Sequence, residues 1–151
     1  MARVIPLPLG EHGWGRQVEV VLRHLEEARS RLAALEPASG WRSEEWRIRS
    51  VVLRVLLREL NAELPLVTQF PVRVRQPRLV HLHCRIAHAQ GSTGRRLRTV
   101  ERHLQQLCNN NSRPELRATT RKALDHDRLK LIKELDRLHR LARSVVVHLN
   151  G

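Results

Sequence analysis

Apolar residues recur at three- and four-residue steps through most of this chain, and that period predicts helices. The first begins at Arg16, with Val18, Val21, Leu22, Leu25, Ala28, Leu32 and Leu35 on one face, and Pro37 and Gly40 close it. A second runs from about Ser43 to Leu64. Ser43 is placed to cap it, Glu44 and Glu45 fall in the first turn where the helix dipole favours acids, and Pro65 stops it. Its inward stripe reads as Ile48, Val51, Val52, Val55, Leu56, Leu60 and Leu64, widened by Leu53 and Leu57, which makes it the helix expected to be most buried. The short link between the two predicts an antiparallel pair. Ahead of them, residues 1–15 hold two prolines and three glycines and read as an extended arm, leaving 16–151 as a single helical domain.

The period changes after Pro65. Phe70 to Arg75 alternates apolar residues with Pro and Arg, and Val80 to His88 begins as Val-His-Leu-His. Alternation of this kind predicts two strands of a central β-hairpin. A three-residue loop, Gln76 to Arg78, would set Val74 opposite Val80, Val72 opposite Leu82 and Phe70 opposite Cys84, with apolar side chains on one face. The rival reading is a helix from Pro77 to Gln90, with Pro in its first turn and Gly91 past its end. Gly91-Ser92-Thr93-Gly94 reads as a loop. A helix then follows from Arg95 to about Cys108, with Leu97, Val100, Leu104 and Leu107 inward.

Asn109-Asn110-Asn111 favours turn geometry, and Ser112 with Pro114 and Glu115 begins the longest helix. There Leu124, Leu131, Leu135, Leu138, Ala142, Val145 and Leu149 keep a four-three spacing interrupted by Arg128. This is a coiled-coil-like seam, read as one face of a bundle, with a homodimer through this C-terminal helix as the other use of it. The fold expected is mainly α: a bundle of about four helices with the hairpin at its centre.

Composition narrows the core more than the function. Of 151 residues 41% are hydrophobic, yet there is one Phe and no Tyr, so the core must be aliphatic. Two cysteines, Cys84 and Cys108, make no disulfide framework. No apolar run approaches a membrane span and none follows Arg3 as a leader would, so an intracellular place is expected: cytoplasmic, or nuclear if the source is eukaryotic or viral.

Charge changes the picture. The net is +13, and 25 of the 28 cationic residues are Arg, whose rigid fork suits phosphate or carboxylate. Residues 1–63 hold ten Arg against nine Glu. Between Glu63 and Glu101 there is no acid at all, while Arg73, Arg75, Arg78, Arg85, Arg95, Arg96 and Arg98 stand there. An acid-free basic block is the electrostatic footprint of a nucleic-acid binder. None of the four aromatic residues with indole or phenyl rings (Trp14, Trp41, Trp46, Phe70) alternates with the block, so base-stacking readers of single strands are disfavoured. Backbone and shape recognition of a duplex or folded RNA fits better, with RNA preferred to DNA. The alternative is a helical adaptor or assembly protein binding an acidic protein surface, as a viral or host-targeting accessory factor does.

Catalytic chemistry is sparse. His81, His83, Cys84, His88, His103 and Cys108 are of metal-ligating type, but their spacing matches no ligand pattern, and no metal or other cofactor is expected. There is no P-loop, dinucleotide motif or nucleophile elbow. Arg143-Ser144-Val145-Val146-Val147-His148 has the Arg-x4-His spacing and the last-helix position that resemble the RNase motif of the HEPN superfamily. The resemblance covers six residues, and Ser144 stands where that family carries a polar residue after the Arg. It implies metal-free RNA cleavage by Arg143 and His148, usually across a dimer. Arg78–His83 and Arg121–His126 share the spacing, as a chain with 25 Arg and nine His readily supplies. A HEPN-like RNase is the second alternative to a non-enzymatic RNA-binding protein or ribonucleoprotein subunit.

Overall fold

The computed structural model describes residues 11–35, 44–72, 75–108 and 114–150, with side chains for 13–35, 44–72, 75–108 and 118–149. It contains four α-helices: α1 (Glu11–Ala34), α2 (Glu44–Glu63), α3 (Pro77–Cys108) and α4 (Pro114–Asn150), with a 3-10 turn over Leu64–Thr68 after α2. α1 packs on α2, α2 on α3, α3 on α4, and α4 back on α1, so α1 and α3 share one diagonal of a four-helix bundle. Cross-helix pairs give the directions. Arg29 meets Asp136 and Arg143 meets Glu19 between α1 and α4, and Arg58 meets Glu101 and Ser50 meets Cys108 between α2 and α3. In each case one residue number rises as its partner's falls, which makes these neighbours antiparallel.

The α4 seam is buried as its spacing predicts. Leu124, Leu131, Leu135, Leu138, Ala142 and Val145 are at most 1% exposed, and Leu149 packs at the edge. The seam is therefore filled within one chain. Arg128, the break in the spacing, has a positive role. Its guanidinium Nη1 donates to Leu32 O at 2.9 Å and reaches Ala33 O at 3.5 Å, carbonyls of the last turn of α1, while Nη2 donates to Asp125 at 2.8 Å. It closes the C-terminus of α1, where helical carbonyls lack partners and a cation suits the dipole. Arg128→Met should therefore cost roughly 2 kcal/mol, the order of leaving a buried acceptor unsatisfied. Urea unfolding measures this; an unshifted midpoint would remove the capping role.

Three expectations are corrected. First, α1 starts at Glu11, so residues 11–15 belong to a helix and not to an arm; Trp14 is fully buried, with its Nε1 donating to Leu66 O at 2.9 Å and its ring edge-on to Phe70. Second, there is no strand among the described residues. The segment 80–88 lies in α3, which starts at Pro77 as the rival helix reading has it but passes straight through Gly91 and Gly94 to Cys108. Leu79, Ile86, Ala89, Thr93, Leu97, Val100, Leu104 and Leu107 form one continuous buried face. That burial outweighs the roughly 1 kcal/mol each mid-helix glycine costs relative to alanine. The apparent alternation at 80–84 is a helix crossing from core to water: Val80 and Cys84 are exposed, Leu82 and His83 half-buried.

Third, α2 packs only part of its expected stripe: Leu53, Leu56, Leu57, Leu60 and Leu64 are buried as expected, but the β-branched members are not. Its buried side chains are Trp46, Ser50, Leu53, Leu56, Leu57 and Leu60, whereas Ile48, Val51, Val52 and Val55 are 43–59% exposed. The apolar residues of the helix cover more than one face, so two stripes compete. The one that packs carries the bulkier Leu and Trp side chains. Ser50 disguises it, and is accommodated because its Oγ donates to Arg47 O at 2.9 Å and lies 3.0 Å from Cys108 Sγ. The expected turn residues Pro37, Gly40, Ser43, Asn109 to Asn111 and Ser112 lie outside the described residues, as do residues 1–10, Arg73 and Val74.

Candidate nucleic-acid interface

The buried face of α3 fixes the rotation of everything else on it. At 100° per residue, His81, His88, Arg95, Arg98 and Arg102 fall on the side away from the core, with Arg78 and Arg85 at its α4 edge, and all seven are exposed. Arg75, just before the helix, is exposed too. From Arg78 to Arg102 the cations span about 36 Å of helix at 1.5 Å per residue. None of these eight residues has an ion pair among the described residues.

Arg96 does not belong with them. One step round from Arg95, it points at α4 and pairs with Asp127 at 3.0 Å and Glu134 at 3.5 Å. Asp127 also meets His103 Nε2 at 3.0 Å, and Ser92 Oγ donates to Glu134. Arg96 is thus part of the polar joint between α3 and α4. The structure brings Arg75, Arg78, Arg85, Arg95 and Arg98 to the exposed surface, excludes Arg96, and leaves Arg73 outside the described residues.

The acids explain why this surface is so one-sided. The five acidic side chains described on α3 and α4 are all engaged: Glu101 with Arg58, Asp125 with Arg128, Asp127 and Glu134 as above, and Asp136 with Arg29. They lie along helix joints, where they neutralise inward-facing Arg. The remaining cations keep the surface.

Five cations of α4 extend it and were not among the expected site residues. Lys122, Lys130, Lys133, Arg137 and Arg140 are exposed. Residues 130 to 140 keep a three-four-three spacing of their own, opposite the Leu seam. That spacing was available to sequence reading, but the acids interspersed at 125–136 hid it, because their ion pairs are a tertiary fact.

At one end of the α3–α4 joint lies a cleft of about 650 Å³. Arg78, His81 and Arg85 line it from α3 and His148 from α4, with Leu82 and Val147 as apolar wall. His148 thus faces α3, while Arg143, five residues earlier, is turned to α1 in a two-point pair with Glu19 at 2.6 and 3.3 Å. Within the chain the two members of the Arg-x4-His motif serve different neighbours. The His and Cys residues are dispersed likewise. His103 is paired with Asp127, His83 lies edge-on to Phe70, Cys84 is exposed and Cys108 packs by Ser50. No group of three such residues able to hold a metal occurs among the described residues, and no described helix is long and apolar enough to cross a membrane. Comparison with known protein families, curated proteins and solved structures finds no match to this chain.

Proposed function

We propose that the protein binds the phosphate backbone of a duplex or folded RNA, recognising charge and shape and leaving the strand intact. The observation that supports this reading is the acid-free exposed face of α3, continued by the cations of α4. A ridge of about 36 Å is long enough to span a full turn of a nucleic-acid duplex. Arg95, Arg98 and Arg102 lie at its centre and, being solvent-facing, are free of structural duty. No Trp, Tyr or Phe side chain lies on this face among the described residues, which favours backbone contact over single-strand reading.

Replacing Arg95, Arg98 and Arg102 together by Gln tests it. Folding should be unchanged. Affinity for duplex RNA should fall at least tenfold, and the slope of log affinity against log salt should flatten by about two to three, one counterion per lost phosphate contact. Parallel titrations on duplex DNA and single strands give the preference. An acidic protein partner would use the same cations but releases no condensed counterions, so a shallow salt slope with RNA, alongside tight binding to an acidic protein, would move the assignment to the adaptor reading.

A further inference from the structure

We propose that the cleft between the first turns of α3 and the last turns of α4 is a binding site for a nucleoside monophosphate. Its phosphate would be held by Arg78, Arg85, His81 and His148, and its nucleoside would lie against Leu82 and Val147. As the phosphorylated end of a bound strand this ligand rests on the nucleic-acid reading; as a free nucleotide it does not.

The argument starts from charge. Two guanidinium and two imidazole groups converge on one concavity from helices far apart in the chain, and no carboxylate lines it. None of the four has a hydrogen-bond or ion-pair partner among the described residues. Every described acid of α3 and α4 is paired with a cation elsewhere, so none neutralises this cluster. Like charges gathered in a cleft with apolar walls repel one another unless an anion sits between them, and such a cleft concentrates anions. Arg forks grip phosphate at two points, and a histidine adds charge as pH falls below neutral.

Size and wall chemistry narrow the anion. About 650 Å³ is far more than a bare phosphate needs and falls in the range of small-molecule sites. Leu82 and Val147 give a base or sugar an apolar surface, while the nearby Ser144 hydroxyl is already committed to Arg140 O at 2.9 Å. A monoester carries up to two charges near neutral pH, against one for each backbone diester, so two convergent guanidinium groups with imidazole donors beside them favour it. The titratable groups facing the phosphate are Arg78, His81 and Arg85 of α3 and His148 of α4.

The test is a titration of the intact protein followed by the ring C–H resonances of His81 and His148. AMP and inorganic phosphate should shift both, with AMP the tighter by about tenfold through the apolar wall, and adenosine alone should not saturate. The Arg78→Gln/Arg85→Gln variant should lose at least about tenfold in AMP affinity at unchanged melting temperature. Oligoribonucleotides with phosphate or hydroxyl ends separate the sources: preference for the phosphate end, lost in the same variant, identifies a strand terminus, and AMP binding without end preference identifies a free nucleotide. Absence of any ring shift with AMP and phosphate, or a double variant that binds AMP as the wild type does, overturns the proposal. The ridge variant of Arg95, Arg98 and Arg102 should bind AMP normally. A wild type that binds AMP but no duplex would end the backbone reading and leave the cleft standing.

Discussion

Leu135→Asp should abolish the folded bundle. Leu135 is 1% exposed and sits between Leu131 and Leu138, both fully buried, in the seam that α4 presents to its neighbours. A carboxylate there has no cationic partner and no water, and an unpaired buried charge costs more than about 4 kcal/mol. The lost leucine packing adds about 2–5 kcal/mol to that cost, against a stability of about 5–15 kcal/mol for domains of this size. Helical circular dichroism should collapse and the hydrodynamic radius expand. Leu135→Ala is the graded control. It leaves a cavity worth about 2–5 kcal/mol and should give a folded protein with a lower urea midpoint. A folded, monomeric Leu135→Asp protein from a dimeric wild type would instead assign the seam to an interface between chains.

Arg96→Ala should be the most destabilising single change among the Arg residues of the α3 block. It leaves Asp127 with His103 alone and Glu134 with the Ser92 hydroxyl alone, and these side chains are only 14% and 22% exposed beside the helix joint. Breaking such a pair from one side costs roughly 2–4 kcal/mol, scaled down from a fully buried pair because some water reaches it. Arg95→Ala and Arg98→Ala, one and two residues away and exposed, should stay within about 0.5 kcal/mol of wild type. Thermal melts of the three variants decide it; equal melting temperatures would mean that the Arg96 network adds nothing to the joint.

That contrast also marks how far the amino-acid pattern could be read. Three Arg residues within four positions look alike as charge, but on a helix Arg96 points about 100° from Arg95 and about 160° from Arg98, while those two lie about 60° apart. Their directions depend on the phase of α3. The assumed loop at Gly91–Gly94 hid that phase, because glycine signals a turn only where packing does not require the helix to continue. The α4 seam was readable because a single apolar stripe stands there against a polar remainder, with Arg128 its one irregularity. In α2 two stripes compete, and a serine marks the one that packs. The basic block itself was visible as an absence of acids. Its extension onto α4 was not, since Asp125, Asp127, Glu134 and Asp136 cancel those cations in the sequence and leave them exposed in the fold.

The closure of α1 by Arg128 sets an order on how the chain can mature. A polypeptide leaves the ribosome from its N-terminus, so α1 and α2 are made long before α4 exists. Yet α1 finds its outer neighbour, its carbonyl cap and the partners of Glu19, Glu26 and Arg29 on residues 128–143. Until those emerge, the nascent N-terminal pair carries one uncovered apolar flank on α1 and a β-branched outer stripe on α2. Loops of about 100 residues must close before the first helix is complete, and such long-range closure is slow. The newborn half of this protein is thus its most adhesive form, exposed for as long as synthesis of the last helix takes.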